Sequence, residues 1–213
     1  MRKVDFFFNN YASEFDSIYG NKQSFFNHII NSLFRKSMRL RFEKSLEYCQ
    51  PVEGSTVLDI GCGPGHYCMA FARRGAKKVI GIDFSKDMIE IARKRVLSSG
   101  LLEQCELIVQ DFFEYNPLNK FDFTIVMGVL DYIENAEVFI RRVAELTIKK
   151  SCFSFPADGG FLALQRKVRY LKRCPLYMYT YDQLDKLFGK HFNNMYVIEK
   201  LDRDYFVTIN FES

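Results

Sequence analysis

The chain has 213 residues, enough for one well-buried core and too few for two comfortable domains. It is 48% hydrophobic and 26% charged, as an ordinary globular protein is. The formal net charge of +4 is far below what binding along a nucleic-acid backbone favours. No apolar run could cross a membrane, and the N-terminus has only a three-residue apolar stretch, FFF, so we expect a cytoplasmic protein without a signal peptide.

Residues 1–51 are predicted to form a helical cap at the start of a single domain that spans residues 1–213. From Phe26 to Leu46 the apolar residues recur every four positions, which makes a single stripe along a helix. Several basic residues lie off this stripe, where solvent would reach them. The six cysteines of the whole chain show no paired metal-ligand spacing, so we expect reduced thiols and no metal site.

Residues 52–158 alternate strands and helices, which predicts a parallel sheet covered on both faces. The predicted strands are residues 56–60, 79–84, 106–109, 121–127 and 152–155. The predicted helices are residues 69–74, 85–98 and 135–147. Ser85 is expected to cap the second of these helices, and Gly75 and Gly100 are expected to end the first and the second.

Residues 159–213 have a different pattern. A basic, tyrosine-rich stretch leads to a helix predicted at 181–188. Two extended segments follow, 195–201 and 205–211, joined by the polar residues 202–204. This arrangement predicts an antiparallel hairpin that closes one edge of the sheet.

The most informative stretch is VLDIGCGPG, residues 57–65, in which an apolar strand carrying Asp59 runs into a glycine-rich loop. Glycines let the backbone approach a ligand closely, and the helix that follows points its N–H groups into the same crevice. A bare glycine triplet can also be a tight turn. The next two strands, however, end in Asp83 and Asp111, so three successive strands deliver acids to one edge of the sheet.

A pyrophosphate cofactor suits this edge poorly. The dinucleotide fingerprint wants a glycine where His66 stands, and Asp59 would lie beside the diphosphate. A carboxylate at Asp83 can accept hydrogen bonds from ribose hydroxyls, and Asp111 can accept one from an adenine amino group. The acids therefore favour a nucleoside that carries positive charge at its other end.

These segments resemble motifs one to four of the class I methyltransferases. The resemblance covers roughly residues 55–155 and rests on VLDIGCGPG, GIDFS, QDF and FDFTIVMGVLDYI, in that order. It implies a Rossmann-like α/β fold, with a seven-stranded mostly parallel sheet and a reversed final hairpin, and S-adenosylmethionine as cofactor. The cofactor-binding residues that it implies are Asp59, Gly61, Cys62, Gly63 and Gly65 for the methionine portion, Asp83 and Phe84 for the ribose, Asp111 and Phe112 for adenine, and Met127 and Gly128 closing the pocket.

The outer regions are similar to a narrower group. The opening NNYASEFDSIYG resembles the N-terminus of quinone-type and magnesium-protoporphyrin methyltransferases. The resemblance implies that an aromatic ring, Tyr11 or Tyr19, folds over the cofactor. The runs PLYMYTYDQLDKLF and LDRDYFV resemble small bacterial methyltransferases related to the enzyme that methylates the protoporphyrin carboxyl group.

Two residues are candidate catalytic groups. Asp131 follows the fourth strand, where many members of the resembled family carry a histidine; we interpret it as a base or amine anchor, with capping of the next helix as the alternative. His66 follows the glycine loop and could lie beside the acceptor, although a polar residue in a helix's first turn needs no catalytic role.

Candidate acceptor-binding residues lie next to Asp131 and in the basic stretch: Tyr132, Arg169, Arg173, Tyr177 and Tyr179. Such a lid would suit an acceptor that bears a carboxylate or phosphate, and a solvated basic face is the alternative. The nucleic-acid class is disfavoured because no Asn/Asp-Pro-Pro-aromatic motif follows the fourth strand, and a non-catalytic protein because the cofactor motifs are intact. We therefore expect O-methylation of a hydroxyl or carboxylate on an acidic small molecule, with N-methylation of an amine as the alternative; acceptor identity and oligomeric state stay open.

Overall fold

The computed structural model describes residues 25–159 and 175–212, with side chains from residue 36 onward. Its strands are β1 (Thr56–Ile60), β2 (Lys78–Asp83), β3 (Cys105–Val109), β4 (Phe121–Val126), β5 (Thr147–Pro156), β6 (Tyr196–Leu201) and β7 (Asp204–Asn210). Its α-helices are α1 (Phe25–Tyr48), α2 (His66–Arg73), α3 (Lys86–Ser98), α4 (Ala136–Glu145) and α5 (Tyr181–Phe192). None of the helices within those ranges is long and apolar enough to pass through a bilayer.

In the described part of the chain the strands form one seven-stranded sheet, in the order β3–β2–β1–β4–β5–β7–β6. Strands β1 to β5 are parallel, and β7 inserts antiparallel between β5 and β6. The predicted Rossmann-like fold with a reversed final hairpin is therefore confirmed. The chain moves outward from β1 to β3 and then returns to pair β4 with the other side of β1. This reversal opens a crevice at the carboxyl ends of β1 and β4, where sheets of this kind bind ligands.

Helices cover both faces of the sheet. On one face, α1, α2 and α3 bury residues such as Leu46, Phe71 and Ile89 in a common cluster. On the other face, α4 and α5 bury Phe139 and Phe188 against the sheet. Each such side chain contributes about 1.5–3 kcal/mol when it is fully buried, so the two clusters hold the strand ends in fixed register.

Most helix ends follow the predicted signals. Ser85 accepts a hydrogen bond from the N–H of Met88 at 3.4 Å and caps α3, and Gly100 follows that helix with φ +69°. The predicted helix at 135–147 instead ends at Glu145, and β5 begins at Thr147, five residues before the predicted strand start at Cys152. Thr147 belongs to the sheet because a β-branched residue fits a pleated strand better than a helix end. Its hydroxyl lies 2.8 Å from that of Thr124 on β4.

The predicted helical cap lies along a face of the sheet. Helix α1 is tied to the final hairpin by ion pairs from Arg41 to Asp204, at 3.6 Å, and from Lys44 to Glu199, at 2.5 Å. Asp204 and its neighbour Arg203 are 3% and 7% exposed. Two of the three polar residues that were predicted to join the hairpin strands are therefore buried.

Candidate active site

Acidic and glycine residues from four strands meet at the carboxyl edge of the sheet. Asp59 lies one residue before the end of β1, Asp83 ends β2, and Asp111 follows β3. The register pairs Ile60 with Ile82 in parallel alignment. Gly128 follows the neighbouring strand β4, so the predicted cofactor residues that these four strands carry share one edge of the sheet.

The glycine loop has left-handed backbone at each of its three glycines. Gly61, Gly63 and Gly65 have φ values of +69°, +50° and +80°, which favour glycine. A Cβ atom on Gly61 would lie 2.3 Å from Cγ2 of Val129, so this glycine is needed for packing against the turn after β4. A Cβ on Gly63 would meet nothing within 4 Å. Gly63 therefore presents bare backbone to open space, as a ligand cradle requires.

Asp83 is held by the loop that it faces. Its Oδ2 accepts a hydrogen bond from the N–H of Gly63 at 2.9 Å, and its Oδ1 accepts one from the N–H of Ser85 at 2.8 Å. Burial raises the pKa of this carboxyl, and the two N–H donors oppose that rise. A carboxylate has about four lone-pair sites, so each oxygen can still accept a hydroxyl hydrogen. The geometry suits a ligand for the two ribose hydroxyls.

Asp59 is a buried acid beneath the glycine loop. Only 1% of its surface is exposed, and its Oδ2 accepts a hydrogen bond from the Cys68 thiol at 3.2 Å. Burial raises the pKa of Asp59 to about 7, and the nearby charge of Asp83 adds to the rise. An opposite charge that arrives beside such a group is strongly favoured. The buried Asp59 carboxylate therefore suits a cofactor that carries an ammonium or sulfonium cation.

The two thiols near Asp59 need space that only a glycine leaves. A Cβ atom on Gly81 would lie 2.6 Å from the Cys68 sulfur and 3.0 Å from the Cys62 sulfur. The side chain of Cys62 is buried in the space beside Gly81. The N–H of Cys62 donates to the carbonyl of Ile82 at 3.0 Å. Both its side chain and its N–H are engaged within the protein. The sequence pattern assigns no role to Cys68, which belongs to no local motif, or to Gly81, which opens the GIDFS segment.

The predicted adenine end has a different aromatic arrangement from the one expected. Asp111 Oδ1 accepts a hydrogen bond from the N–H of Phe113 at 3.0 Å, at the start of a short 3-10 helix. The Phe112 ring is buried against Phe139, with ring centroids 4.7 Å apart. The exposed rings at this edge are Phe84, at 40%, and Phe113, at 43%. Phe113 is thus a candidate that the sequence pattern did not single out.

The turn after β4 is tied to a neighbouring strand. Met127 is half-buried against the same cluster as α1, and Gly128 has φ +74°. The Gly128 N–H donates to Oγ of Ser154 at 2.8 Å, and the same oxygen accepts a hydrogen bond from Arg41 Nη1 at 3.1 Å. Neither Ser154 nor Arg41 carried a sequence signal, since each reaches the turn from an element distant along the chain.

Asp131 lies at the junction of β4, β5 and the segment before α5. Its side chain is 3% exposed, and its carbonyl accepts a hydrogen bond from the N–H of Tyr177 at 2.8 Å. The cap of α4 is Asn135, which accepts a hydrogen bond from the N–H of Val138 at 3.1 Å, so the capping alternative for Asp131 is wrong. Sequence reasoning had kept that alternative open because Asp131 stands shortly before a predicted helix.

Tyr179 completes this junction. Its N–H donates to the Pro156 carbonyl at 2.9 Å, which seats the segment beside the end of β5. Burial raises the pKa of Tyr179 to about 12, and the negative charge of Asp131 contributes to the rise. The structure therefore brings together three predicted residues, Asp131, Tyr177 and Tyr179, with the half-buried Tyr132 next along the chain.

His66 opens α2 and is held toward α3. Its Nε2 lies 2.9 Å from Nη1 of Arg95, which also reaches the carbonyl of Pro64 at 3.4 Å. A guanidinium only donates, so this ring nitrogen is the acceptor. The contact supports a structural role for His66 at the start of α2.

Four predicted residues, Tyr11, Tyr19, Arg169 and Arg173, lie outside the described residues. Among the residues that are described, no group of three or more His, Cys, Asp or Glu side chains could hold a metal ion.

Comparison with known proteins agrees with this geometry. Residues 57–149 match a family model described as a methyltransferase domain. The ubiquinone biosynthesis O-methyltransferase of Chelativorans sp. (strain BNC1) is 32% identical over 126 residues, which are 57% of this chain and 47% of that protein. The ubiquinone biosynthesis O-methyltransferase of Aliivibrio fischeri (strain ATCC 700601 / ES114) is 29% identical over 161 residues, 74% of this chain and 64% of that protein. The chain thus spans about half the length of curated relatives such as the Chelativorans protein.

A solved structure has the same fold over nearly the whole chain. Magnesium protoporphyrin IX methyltransferase from Synechocystis PCC 6803, crystallised with bound SAH, superposes with a TM-score of 0.77 at 22% identity, covering 97% of each chain. Residues 57–149, which match the family model, contain the glycine loop, Asp59, Asp83 and the turn after β4. Residues 57–149 thus match a methyltransferase domain, and the fold over nearly the whole chain is the one seen in the solved methyltransferase structure.

Proposed function

We propose that the protein transfers the methyl group of S-adenosylmethionine to a hydroxyl oxygen of a small molecule. The observation that carries the proposal is one sheet edge with two adjoining parts. Asp59, Gly63 and Asp83 form a cradle suited to a cationic nucleoside. The buried Asp131 and the partly buried Tyr179 lie together beyond the fourth strand.

The cofactor would be held by residues with distinct roles. Asp83 would accept hydrogen bonds from the ribose hydroxyls, and Asp59 would balance the positive charge of the methionine portion. Gly63 would let that portion approach the backbone closely. Asp111 and the exposed rings of Phe84 and Phe113 would border the adenine. When bound, S-adenosylmethionine supplies an electrophilic methyl group, so the protein has mainly to align the acceptor with it.

Asp131 favours a hydroxyl acceptor over a carboxylate. A hydroxyl must lose its proton during transfer, and a buried carboxylate can take it. A carboxylate acceptor needs no base, and the charge of Asp131 would repel it. Tyr179, whose pKa is raised to about 12, stays protonated at neutral pH and could donate a hydrogen bond to the acceptor.

The acceptor is proposed to carry an anionic group elsewhere. Arg169 and Arg173, which lie outside the described residues, are proposed to bind that group, and Tyr132 and Tyr177 are proposed to contact the acceptor. The names of the relatives support a small-molecule acceptor, because they refer to ubiquinone biosynthesis and to magnesium protoporphyrin IX. No observation favours an RNA acceptor or an amine over a hydroxyl.

The test has two stages. Calorimetry should show binding of S-adenosylmethionine and its demethylated product with Kd values in the micromolar range, about −7 to −8 kcal/mol. NAD, which has a pyrophosphate, should not bind. Transfer of a radiolabelled methyl group should then be measured to phenols, carboxylic acids and amines, each with and without a second anionic group. Binding of NAD alone, or transfer only to carboxylic acids or amines, would contradict the proposal at its first or second stage.

A further inference from the structure

A buried polar cluster joins helix α1 to the last strand of the sheet. Ser37 and Arg41 lie one helical turn apart on α1, and both reach Oδ2 of Asp204, Arg41 at 3.6 Å and Ser37 by a hydrogen bond. Ser154 of β5 lies beside them and accepts a hydrogen bond from Arg41 Nη1 at 3.1 Å. Ser37, Ser154 and Asp204 are almost fully buried, and the Arg41 side chain is 13% exposed.

Stability alone is a poor reason for such a cluster. Removing a guanidinium and a carboxylate from water is costly, and apolar side chains of similar size often stabilise a core as well or better. A buried ion pair with directed hydrogen bonds does fix one arrangement of the elements that it joins.

The cluster extends to the candidate active site through Ser154. Its hydroxyl oxygen also accepts the N–H of Gly128 at 2.8 Å. The next residue, Val129, packs against the glycine loop so closely that a Cβ on Gly61 would lie 2.3 Å from its Cγ2. A chain of direct contacts thus runs from Arg41 through Ser154 and the turn after β4 to Gly61.

We propose that Arg41 is a positioning residue for methyl transfer. Through Ser154 it sets the place of the Gly128 turn against the glycine loop, and the methionine end of the cofactor would lie between these two segments. The inference rests on the proposed function, since it assigns Arg41 to the same cofactor site. Arg41 would act without touching the cofactor.

The first test compares three single variants. Arg41→Met and Ser154→Ala each remove one link in the chain of contacts. Lys44→Met is the matched control, because Lys44 ties the same helix to Glu199 but makes no contact with the turn after β4. Calorimetry with S-adenosylhomocysteine, well below each melting temperature, should show affinity weakened roughly tenfold in the first two variants, as loss of one hydrogen bond allows. Lys44→Met should bind within about twofold of the unaltered protein.

Two further variants separate positioning from general destabilisation. The double variant Arg41→Met/Ser154→Ala should bind no more weakly than either single variant, because the two residues act in series. Arg41→Lys, which can still donate to Ser154, should recover most of the affinity. Amide hydrogen exchange across residues 127–132 should be faster in Arg41→Met and Ser154→Ala, and unchanged in Lys44→Met.

Several results would overturn the inference. These are unaltered binding in Arg41→Met and Ser154→Ala, an equal loss in Lys44→Met, or losses that add in the double variant. If the unaltered protein bound neither S-adenosylmethionine nor S-adenosylhomocysteine, the proposed function would fall first, and the inference with it.

Discussion

The N–H of Gly63 donates to Oδ2 of Asp83 at 2.9 Å, so the acid that ends the second strand holds the loop that follows the first. The same carboxylate accepts the N–H of Ser85, the cap of α3. One side chain therefore orders the glycine loop and the start of a helix while two of its lone-pair sites stay available. Ligand binding and loop geometry are coupled at this residue.

Asp83→Ala should weaken S-adenosylmethionine binding by about 100-fold or more, because it removes the ribose acceptor and the anchor of Gly63 together. Asp83→Asn should lose less, since the amide oxygen can still accept one N–H. Calorimetry on both variants, with circular dichroism as the check on folding, measures the difference. Equal affinity in Asp83→Ala and the unaltered protein would remove Asp83 from the site.

Cofactor affinity should rise with pH up to about 7 and level off above it. The pKa of Asp59 is raised to about 7 by burial and by Asp83, so below that pH the group is neutral and cannot balance a cation. One linked proton changes the affinity by about tenfold per pH unit below the pKa. Binding at pH 6 should release a proton, seen as a binding enthalpy that depends on the buffer's ionisation enthalpy. Asp59→Asn should abolish both effects, and a flat profile in the unaltered protein would refute the assignment.

The same shift predicts how stability depends on pH without cofactor. The folded-state pKa of Asp59 exceeds its ordinary value of 3.8, so between these two values the folded protein binds more protons than the unfolded chain. The contribution of Asp59 is therefore most favourable at low pH and is lost as the pH rises through about 7. The melting temperature of the unaltered protein minus that of Asp59→Asn should fall across this window. A difference that rose with pH would have the wrong sign.

Alanine substitutions at two glycines of one loop should have different effects: Gly61→Ala should mainly reduce stability, and Gly63→Ala should mainly reduce cofactor binding. Gly61→Ala places a methyl group 2.3 Å from Val129 at φ +69°, so we expect a loss of several kcal/mol in the free energy of unfolding. Gly63→Ala meets no neighbour, so it should cost only about 1 kcal/mol of backbone strain and still fold. Its methyl group would occupy the cradle, and S-adenosylhomocysteine should bind at least roughly tenfold more weakly. Thermal melts and calorimetry on both proteins would show whether this ordering holds.

Asp131→Asn keeps shape and hydrogen bonding while it removes basicity. If the acceptor is a hydroxyl, kcat should fall by about 10²–10⁴ with unchanged cofactor affinity. If the acceptor is a carboxylate, the same change should do little or should raise the rate. A structure with bound cofactor product in which the Asp131 carboxylate faces away from the sulfur would exclude the catalytic role.

Local patterns predicted the cofactor half of the molecule well. The strand that carries Asp59, the left-handed glycines and the cap at Ser85 all depend on residues close together along the chain. Each leaves a signal in a short window, because periodicity, φ preference and capping are local properties. The position of Asp83 at the end of β2 follows from the same reasoning.

Features made by distant segments were not predictable in this way. The Ser154 hydroxyl meets Gly128 only because β4 and β5 are adjacent, and Arg41 reaches Ser154 from a helix 113 positions earlier in the chain. Phe112 and Phe113 are identical residues that both contact Phe139, and only the folded structure shows that the Phe112 ring is buried while the Phe113 ring stays exposed. Residues 202–204 are all charged, and this composition did not indicate that Asp204 is buried.

The contacts of α1 also bear on the order in which the protein can fold. Ser37 and Asp204 are 167 positions apart along the chain, and Lys44 and Glu199 are 155 apart. During synthesis, α1 emerges long before the hairpin that it contacts. Its contact face therefore stays exposed to solvent until β6 and β7 have been made. Contacts this distant along the chain slow folding, and docking of α1 should be among its last steps. A ribosome-bound chain stopped before β6 should therefore already have a folded glycine loop, while α1 is not yet docked.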